Sequence, residues 1–343
     1  MSGSRAVHYM GDRSLSIVDG LTAQPASGQV RVAVAYTGIC GTDLHIFHGD
    51  MDSRVRPPGV IGHEMSGTIE AIGPGVSGWA VGDPVTVMPL DWCGQCPACL
   101  RGHNHICHRL NFLGIDSPGC LQTLWTVPAS TLVALPAGLR LDHAALVEPT
   151  AVAVHDVRRG NIQSDEKTVV VGGGPVGLLI ALVAQSVGAD VLVLEPNPQR
   201  RAVAASIGLA VHDPNQSAEY LDDWTGGAGA DVAVEVSGAE AGVTTATQVL
   251  ATRGRLVLVA IHTAPRPMDL FRLFWRELTV IGARVYQRAD FEEAVRLLSS
   301  DAIPAEALIT QTVSLDRVAD AFAALEAGTA VKVLVNCANH VVP

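Results

Sequence analysis

The sequence is poor in positive charge. Its 343 residues carry a formal net charge of −11, and only two of them, Lys167 and Lys332, are lysines. Because binding to nucleic-acid phosphates requires a basic face, this balance argues against a nucleic-acid-binding protein. We interpret the scarcity of lysine beside frequent arginine as compositional drift without functional meaning.

The sequence also lacks a long apolar segment, a leader and a secreted-type cysteine pattern. The longest apolar run, 176–187, contains Gln185 and Ser186, which predicts a buried helix rather than a membrane span. Residues 1–20 show no charged segment followed by an apolar one, and the cysteine count of seven is odd. We therefore expect a cytoplasmic protein with no membrane partner, whose length predicts two domains.

Four of the cysteines are concentrated between residues 93 and 107. They are separated by two, two and seven residues, namely Cys93, Cys96, Cys99 and Cys107. Four thiolates complete a tetrahedral zinc site with no open position, so the predicted zinc is structural. A nucleic-acid-binding ribbon is the alternative, but Arg101 and Arg109 are the only permanent cations nearby. We expect His103, His105 and His108 to be surface residues.

The chain has a β-rich first part and an alternating α/β second part. Between residues 29 and 128, short Val-rich segments alternate with Gly and Pro turns, as expected of half-buried strands. From Thr168 onward, apolar runs alternate with Ala-rich helical runs, which predicts a parallel sheet covered on both faces. The predicted strands are 168–171, 191–194, 232–236, 256–260, 278–281 and 332–335, and the predicted helices are 175–187, 198–207, 241–251, 291–299 and 315–325.

A glycine-rich turn in the α/β part predicts a dinucleotide site. Gly172, Gly174 and Gly177 form Gly-x-Gly-x-x-Gly between an apolar strand and a helix, and Glu195 ends the next strand. The glycines permit a tight turn, close approach of the backbone to a pyrophosphate, and helix–strand packing, and the helix N-terminus attracts negative charge. Glu195 would accept ribose hydroxyl protons and repel a 2′-phosphate, which favours NAD over NADP. A plain glycine turn with a surface glutamate is the alternative, and Arg200 and Arg201 could still tolerate a phosphate.

A second metal site is indicated upstream. Cys40 lies between glycines, and His63 and Glu64 follow a turn-forming Pro-Pro-Gly segment. Cysteine, histidine and glutamate with one open position are a possible ligand set for a catalytic zinc. A lone cysteine and an adjacent His-Glu pair also commonly have structural roles.

The order and spacing of these motifs resemble the zinc-containing medium-chain dehydrogenase/reductase family. Within that family, the likeness is to polyol (sorbitol-type), 2,3-butanediol and L-threonine dehydrogenases. The resemblance extends over nearly the whole chain and is carried by segments 38–45, 62–64, 93–107, 148–153 and 172–177. It implies an α/β protein with a GroES-like catalytic domain around a doubly wound Rossmann domain, with the active site in the cleft between them. The expected boundaries are 1–152 and 287–343 for the catalytic domain and 153–286 for the Rossmann domain.

The resemblance also implies roles for individual residues. Cys40, His63 and Glu64 would bind a catalytic zinc, giving two zinc ions per chain, and Glu148 would be a further ligand or reach the zinc through water. The Glu-Pro form at Glu148 favours polyol and butanediol dehydrogenases over ordinary alcohol dehydrogenases. Thr42 and His45 match a proton relay, since the alcohol must lose a proton before hydride leaves carbon. Cofactor contacts are expected at Gly172, Gly174, Pro175, Val176, Gly177, Glu195, Arg200, Ala260, Ile261 and Arg284.

Two departures from relatives concern substrate choice. Relatives carry Phe-Ala-Glu-Tyr where this chain has residues 121–124, so we expect a wider pocket at Leu121. Sorbitol-type enzymes place an arginine directly before the tyrosine matching Tyr286, whereas this chain has Val285 there and Arg284 one step earlier. On a strand, one step moves a side chain to the opposite face.

We therefore expect a zinc-dependent, NAD-linked dehydrogenase that oxidises a secondary alcohol, a polyol or vicinal diol, to a ketone. The expected partner is a small-molecule alcohol, and the expected assembly is a homodimer or homotetramer. One alternative is an L-threonine 3-dehydrogenase, which would need a carboxylate anchor. The other is a catalytically silent, zinc-bound binding or structural relative, which would be expected to lose Cys40, His63 or the relay pair.

Overall fold

The computed structural model describes residues 2–338, which divide into two compact units. The first comprises residues 2–148, 287–299 and 309–338, and the second comprises 149–286 and 300–308. This division differs from the predicted boundaries, which assigned all of 287–343 to the first unit. Residues 300–308 belong to the second unit because helix Ala305–Leu308 packs against helix Pro198–Ser206.

The second unit contains a six-stranded, entirely parallel sheet, which confirms the predicted doubly wound arrangement. The first strand in sequence lies in the middle, and the chain winds outward from it in both directions. Both faces of the central strands are buried, which explains their continuous apolar sequences. Across the sheet the strands are Ala210–His212, Asp190–Leu194, Lys167–Val171, Ala230–Glu235, Leu250–Leu258 and Thr279–Gly282.

The helices of this unit agree only partly with the predicted ones. Their bounds are Pro175–Ser186, Pro198–Ser206, Ala218–Thr225, Glu240–Gln248, Leu270–Trp275 and Ala305–Leu308. The predicted helix 241–251 was too long, because Leu250 already pairs with Ala230 in the sheet. Helices Ala218–Thr225 and Leu270–Trp275 were not predicted.

The first unit is β-rich and organised around one strand, Gln29–Gly38. This strand pairs antiparallel with Glu64–Ile72, Leu124–Pro128 and Lys332–Asn336, so it joins early and late parts of the chain. Its sheet continues through Pro84–Val87 and Leu132–Ala134 on one side and Ile309–Ser314 on the other. Smaller sheets join Ser14–Thr22, Ser2–Gly11 and Gly59–Val60, and Leu90–Asp91 with Asn111–Phe112.

The helices of the first unit are short. They are Gly41–Phe47, Pro97–Leu100, Leu141–Ala144, Arg288–Ser299 and Val318–Glu326, and helix Val147–Arg159 begins at the unit boundary. The predicted helix 315–325 is divided, since residues 315–317 form a separate 3₁₀ turn. Across residues 2–338, no helix has both the length and the apolar character needed to cross a membrane.

Candidate metal centres and nucleotide-binding turn

The four cysteines of segment 93–107 converge on one point. Cys96 Sγ lies 3.5 Å from Cys99 Sγ and 3.7 Å from Cys107 Sγ, and Cys107 Sγ lies 3.4 Å from Cys93 Sγ. Four sulfur atoms at about 2.3 Å from a tetrahedral zinc would be separated by roughly 3.8 Å. The sulfur spacing therefore fits a closed, four-thiolate metal site.

Backbone N–H groups already favour negative charge on part of this set. Gln95 N lies 3.5 Å from Cys93 Sγ and is the largest cause that lowers the pKa of Cys93 to about 6. Loss of hydration raises the pKa of Cys99 to about 12. A bound Zn²⁺ ion would remove this difference between the pKa values of the thiols, because metal binding requires every thiol to be deprotonated. The prediction that His105 is a surface residue is wrong, because His105 is buried within this segment.

A second group, in the first unit, consists of Cys40, His63 and Glu64. One ligand atom from each lies within 4.8 Å of the others. Cys40 is half-buried at the start of helix Gly41–Phe47, whereas His63 and Glu64 are 3 % and 1 % exposed. Among residues 2–338, this group and the four cysteines are the two clusters of His, Cys, Asp or Glu with metal-ligand spacing.

A tight glycine contact positions His63. Gly62 has a φ of 96°, and a Cβ there would lie 3.2 Å from Leu121 N and 3.3 Å from Cys120 Sγ. Only glycine suits this left-handed conformation in such close packing. Leu121 itself is fully buried and packs beneath the His63 turn, and the expected widening of the substrate pocket there stays a prediction.

Asp43 lies behind His63 and was not predicted as a site residue. One carboxylate oxygen accepts a hydrogen bond from Cys40 N at 2.9 Å, and the other lies 3.8 Å from His63 Nδ1. Burial raises the pKa of Asp43, and although burial opposes protonation of His63, the acidic neighbours Asp43 and Cys40 hold the pKa of His63 well above its usual range. A carboxylate at Nδ1 orients a metal-binding imidazole, and the raised pKa shows that this pocket attracts positive charge.

Lys332 is the second residue of this site, after Asp43, that the sequence did not predict. Its ammonium group forms an ion pair with Glu64 Oε2 and donates a hydrogen bond to Ile39 O at 3.2 Å. The two strands that carry Glu64 and Lys332 flank Gly38, where a Cβ would overlap the Glu64 carboxylate. Burial opposes protonation of Lys332, but Glu64 and the other acidic groups outweigh it and raise the pKa of this lysine.

The remaining predicted residues lie around this group. Glu148 is 4 % exposed at the start of helix Val147–Arg159, and its negative charge contributes to the raised pKa of His63. It does not join the set of ligand atoms within 4.8 Å of one another. Thr42 and His45 are half-buried on helix Gly41–Phe47, and His45 Nδ1 lies 3.1 Å from Asp50 Oδ2.

The donor set of Cys40, His63 and Glu64 fits zinc. Thiolate, imidazole and carboxylate are its preferred ligands, and three protein donors leave an open coordination position. The unsatisfied buried atoms Asp43 Oδ1 and His63 Nδ1 face each other across this group, as they would around an imidazole bound through its other nitrogen. The four-cysteine segment fits a structural zinc by its sulfur spacing.

The glycine-rich turn lies in the second unit and is tied to Glu195. Gly172 has a φ of 116°, and Gly173 N donates to Glu195 Oε2 at 2.7 Å. Gly174 begins helix Pro175–Ser186 with no heavy atom within 4 Å of a Cβ built there. At Gly177 a Cβ would overlap the Gly172 carbonyl oxygen. Gly177 is therefore required by packing, whereas open space remains in front of Gly174.

The two arginines after Glu195 have different environments. Arg201 is engaged by the protein, donating to Glu195 O at 2.8 Å, Pro196 O at 2.7 Å and Asp213 Oδ2 at 3.2 Å. Arg200 Nη1 lies 4.0 Å from Glu195 Oε2, and the Arg200 side chain is 32 % exposed. Arg200 is therefore the more accessible of the two arginines beside the Glu195 carboxylate.

The other predicted cofactor residues follow the fifth and sixth strands of the sheet, Ala260 and Ile261 after Leu250–Leu258 and Arg284 after Thr279–Gly282. Ala260 N donates to Glu235 O at 3.2 Å, and Ile261 is 59 % exposed. The strand-alternation argument at Arg284 and Val285 was wrong, because strand Thr279–Gly282 ends before them and Val285 has a φ of 51°. Their side-chain directions are set by this bend.

Comparison with known proteins assigns the chain to a family. Residues 26–137 match the alcohol dehydrogenase GroES-like domain, and residues 175–300 match the zinc-binding dehydrogenase domain. The chain is 50 % identical over 335 residues to 2-dehydro-3-deoxy-L-galactonate 5-dehydrogenase of Pseudoalteromonas atlantica, covering 97 % of this chain and 98 % of the relative. The chain belongs to the zinc-containing medium-chain dehydrogenase/reductase family.

Two further relatives of this family differ in their named substrates. Sorbitol dehydrogenase of Halalkalibacterium halodurans is 33 % identical over 317 residues, covering 90 % of this chain and 92 % of the relative. The crystal structure of 2R,3R-butanediol dehydrogenase from Bacillus subtilis superposes with a TM-score of 0.89 at 29 % identity, covering 97 % of this chain and 99 % of that chain. The family and both predicted domain types, GroES-like and Rossmann, are thus confirmed.

Proposed function

We propose that this protein is a zinc-dependent, nicotinamide-linked dehydrogenase that oxidises a secondary hydroxyl group of a polyhydroxylated, open-chain substrate to a ketone. The observation that carries the proposal is the convergence of one ligand atom each from Cys40, His63 and Glu64 within 4.8 Å, three donors that would leave a fourth zinc position open. The glycine-rich turn at residues 172–177 supports a nicotinamide dinucleotide as the hydride acceptor. A Zn²⁺ ion held there would supply Lewis acidity to the substrate hydroxyl oxygen.

The substrate class we propose is a sugar acid or a related polyol. The relative that is 50 % identical to this chain is named for a 2-dehydro-3-deoxy sugar acid, and a relative that is 33 % identical is named for sorbitol. Both names describe dehydrogenation of a polyhydroxylated chain, and the first places it at carbon 5. A sugar acid as first choice narrows the sequence-based prediction, which named only polyols and vicinal diols.

The protein groups have separate tasks in this proposal. Cys40, His63 and Glu64 would hold the metal, and Asp43 would orient the His63 imidazole from behind. Thr42 and His45 would carry the hydroxyl proton outward, with Asp50 as the exit, since its carboxylate is 46 % exposed and 3.1 Å from His45 Nδ1. Glu148 would act as a nearby carboxylate whose negative charge favours the cation.

For the cofactor we propose NAD in preference to NADP. Glu195 presents a buried carboxylate at the end of the second strand, and Arg201 is already engaged. A 2′-phosphate would meet the negative charge of Glu195, with only Arg200 to offset it. We therefore expect NAD to be used more efficiently than NADP, without complete exclusion of NADP.

The test is a substrate panel with a ligand variant. Purified protein is assayed by NADH and NADPH absorbance with 2-dehydro-3-deoxy-L-galactonate, sorbitol, 2,3-butanediol and L-threonine. We expect the sugar acid to give the highest kcat/KM and Cys40→Ala to lower turnover by about three orders of magnitude, since several kcal/mol of Lewis-acid stabilisation is lost. Highest activity with L-threonine would favour the threonine alternative, and near-normal turnover of Cys40→Ala would refute the metal site.

We also propose that the protein self-associates through helix Leu270–Trp275. Leu270, Phe271, Phe274 and Trp275 are 69–76 % exposed, and the neighbouring edge strand Thr279–Gly282 contains no charge or proline. Four such side chains would bury roughly 500 Å² per partner, a large part of a standard interface. Light scattering should show a dimer or tetramer for the wild type and a smaller species for Phe274→Asp. An unchanged mass would refute this interface.

A further inference from the structure

Lys332 is a lysine in an unusual environment. Its side chain is 2 % exposed, whereas the chain's other lysine, Lys167, is 33 % exposed beside Asp190. Burial of an ammonium group is costly unless an opposite charge compensates it. The compensating group is Glu64, whose side chain is 1 % exposed and which belongs to the candidate metal group.

The fold places this lysine at the metal group by strand register. Strand Lys332–Asn336 and strand Glu64–Ile72 lie on opposite sides of strand Gln29–Gly38, which ends at Gly38. A Cβ at Gly38 would lie 3.0 Å from Lys332 Cε and 3.1 Å from its Nζ. The missing side chain at Gly38 therefore leaves the space through which Lys332 reaches Glu64.

The charges around the pair are mainly negative. Glu64 forms an ion pair with Lys332, the Cys40 ligand atom lies within 4.8 Å of that of Glu64, and Asp43 lies behind His63. Lys332 thus provides a positive charge inside the group of residues that would hold a metal cation. A second cation at this place would be repelled by the first.

We propose that Lys332 is an internal counter-cation that neutralises Glu64 and competes with a bound metal ion for that carboxylate. This inference rests on the proposed metal site at Cys40, His63 and Glu64. The ion pair neutralises the Glu64 carboxylate when no metal is bound, so this buried ligand does not remain as an uncompensated charge in the metal-free protein. It also weakens metal binding, because Glu64 must be shared between the ammonium group and the ion.

Replacement of Lys332 by methionine distinguishes this role from simple support of a ligand. Methionine retains much of the length and apolar surface of lysine but removes the charge. A counter-cation predicts that Lys332→Met binds Zn²⁺ more tightly, by on the order of ten- to a hundredfold, because repulsion is lost. If Lys332 only oriented Glu64 as a ligand, the same substitution would weaken binding by about ten- to a hundredfold.

The experiment measures Zn²⁺ and Co²⁺ affinity of the full chain by chelator competition, together with melting temperature with and without chelator. The four-cysteine segment remains loaded and serves as an internal reference. We expect Lys332→Met to bind metal more tightly and to lose more stability than the wild type when the metal is removed. Lys332→Arg should resemble the wild type, and Lys332→Met/Glu64→Gln should regain metal-free stability, since both buried charges are gone.

The outcomes separate the inference from the proposed function. Equal or weaker metal affinity of Lys332→Met would overturn the counter-cation role. If the wild type bound metal only at the four-cysteine segment, the proposed function itself would fail. If Lys332→Met folds only with metal, its release of metal to chelator is compared with that of the wild type, and faster or equal release would refute the inference.

Discussion

Replacement of Gly174 by alanine should separate cofactor binding from fold stability. Gly174 has φ −71° and ψ 179°, which any residue adopts, and a Cβ there meets no heavy atom within 4 Å. Alanine restricts the unfolded chain, which stabilises the folded protein by about 0.4–1 kcal/mol. As the N-cap of a helix, however, alanine is less favourable than glycine by a similar amount. We therefore expect the free energy of unfolding without cofactor to stay within about 0.5 kcal/mol of the wild type.

NADH binding should respond differently. If the pyrophosphate packs against the backbone in front of Gly174, the new methyl group takes that space. We expect the Kd for NADH to rise tenfold or more, about 1.4 kcal/mol. The measurement is a fluorescence titration with NADH on the same preparation that is used for thermal unfolding.

Gly177→Ala is the matched control. Its Cβ would overlap the Gly172 carbonyl oxygen and lie 3.1 Å from Val236 Cγ1, so helix Pro175–Ser186 must move away from the sheet. Overpacking of this kind costs about 1–3 kcal/mol, which should lower the melting temperature even without cofactor. Wild-type NADH affinity of Gly174→Ala would refute the assignment of this turn to the pyrophosphate. Equal destabilisation by the two variants would refute the packing argument.

Three further substitutions test the other predicted roles. Cys96→Ser should lose one zinc by metal analysis and lower the melting temperature, since metal binding orders this segment; full zinc content at an unchanged melting temperature would contradict it. Glu195→Gln keeps the shape of the side chain but removes its charge, so the NADP/NAD ratio of kcat/KM should rise about tenfold, and a constant ratio would show that Glu195 does not select the cofactor. The variant Asp43→Asn can still accept the hydrogen bond from Cys40 N, yet the zinc affinity of the Cys40, His63 and Glu64 site should fall by about ten- to a hundredfold. A wild-type zinc affinity in chelator competition would exclude an orienting role for Asp43.

Local sequence patterns correctly predicted the strands whose residues are buried on both faces of the sheet. The runs at 168–171 and 191–194, apolar apart from Thr168, lie in central strands buried on both faces, and the structure extends each by a single residue. The end of helix Glu240–Gln248 was predicted three residues late, because Ala, Val and Thr suit either helix or strand there. Pairing with a strand twenty residues earlier decides the boundary, and that information is not local.

The two unpredicted site residues were hidden for different reasons. Lys332 is 268 residues from Glu64, and only the pairing of three strands at Gly38 brings them together. Asp43 lies within a recognised motif, but its function depends on complete burial behind His63, which its sequence position does not reveal. Helix Leu270–Trp275 was missed because its apolar residues are exposed and do not follow the pattern of a helix packed on its own core.

The two candidate metal centres are supported by different parts of the structure. The buried cluster in segment 93–107 consists of Cys96, Cys99, Cys107 and Ala98, so three of its four buried members are predicted metal ligands. The helices of this segment are at most four residues long and cannot hold it without metal. In the other group, Glu64 begins a strand of the seven-stranded sheet, His63 directly precedes that strand, Cys40 follows strand Gln29–Gly38, and Lys332 pairs with Glu64. Loss of metal should therefore unfold segment 93–107 locally but leave the Cys40, His63 and Glu64 group in place. A group that keeps its shape without metal suits a catalytic centre, which must hold one coordination position open for substrate.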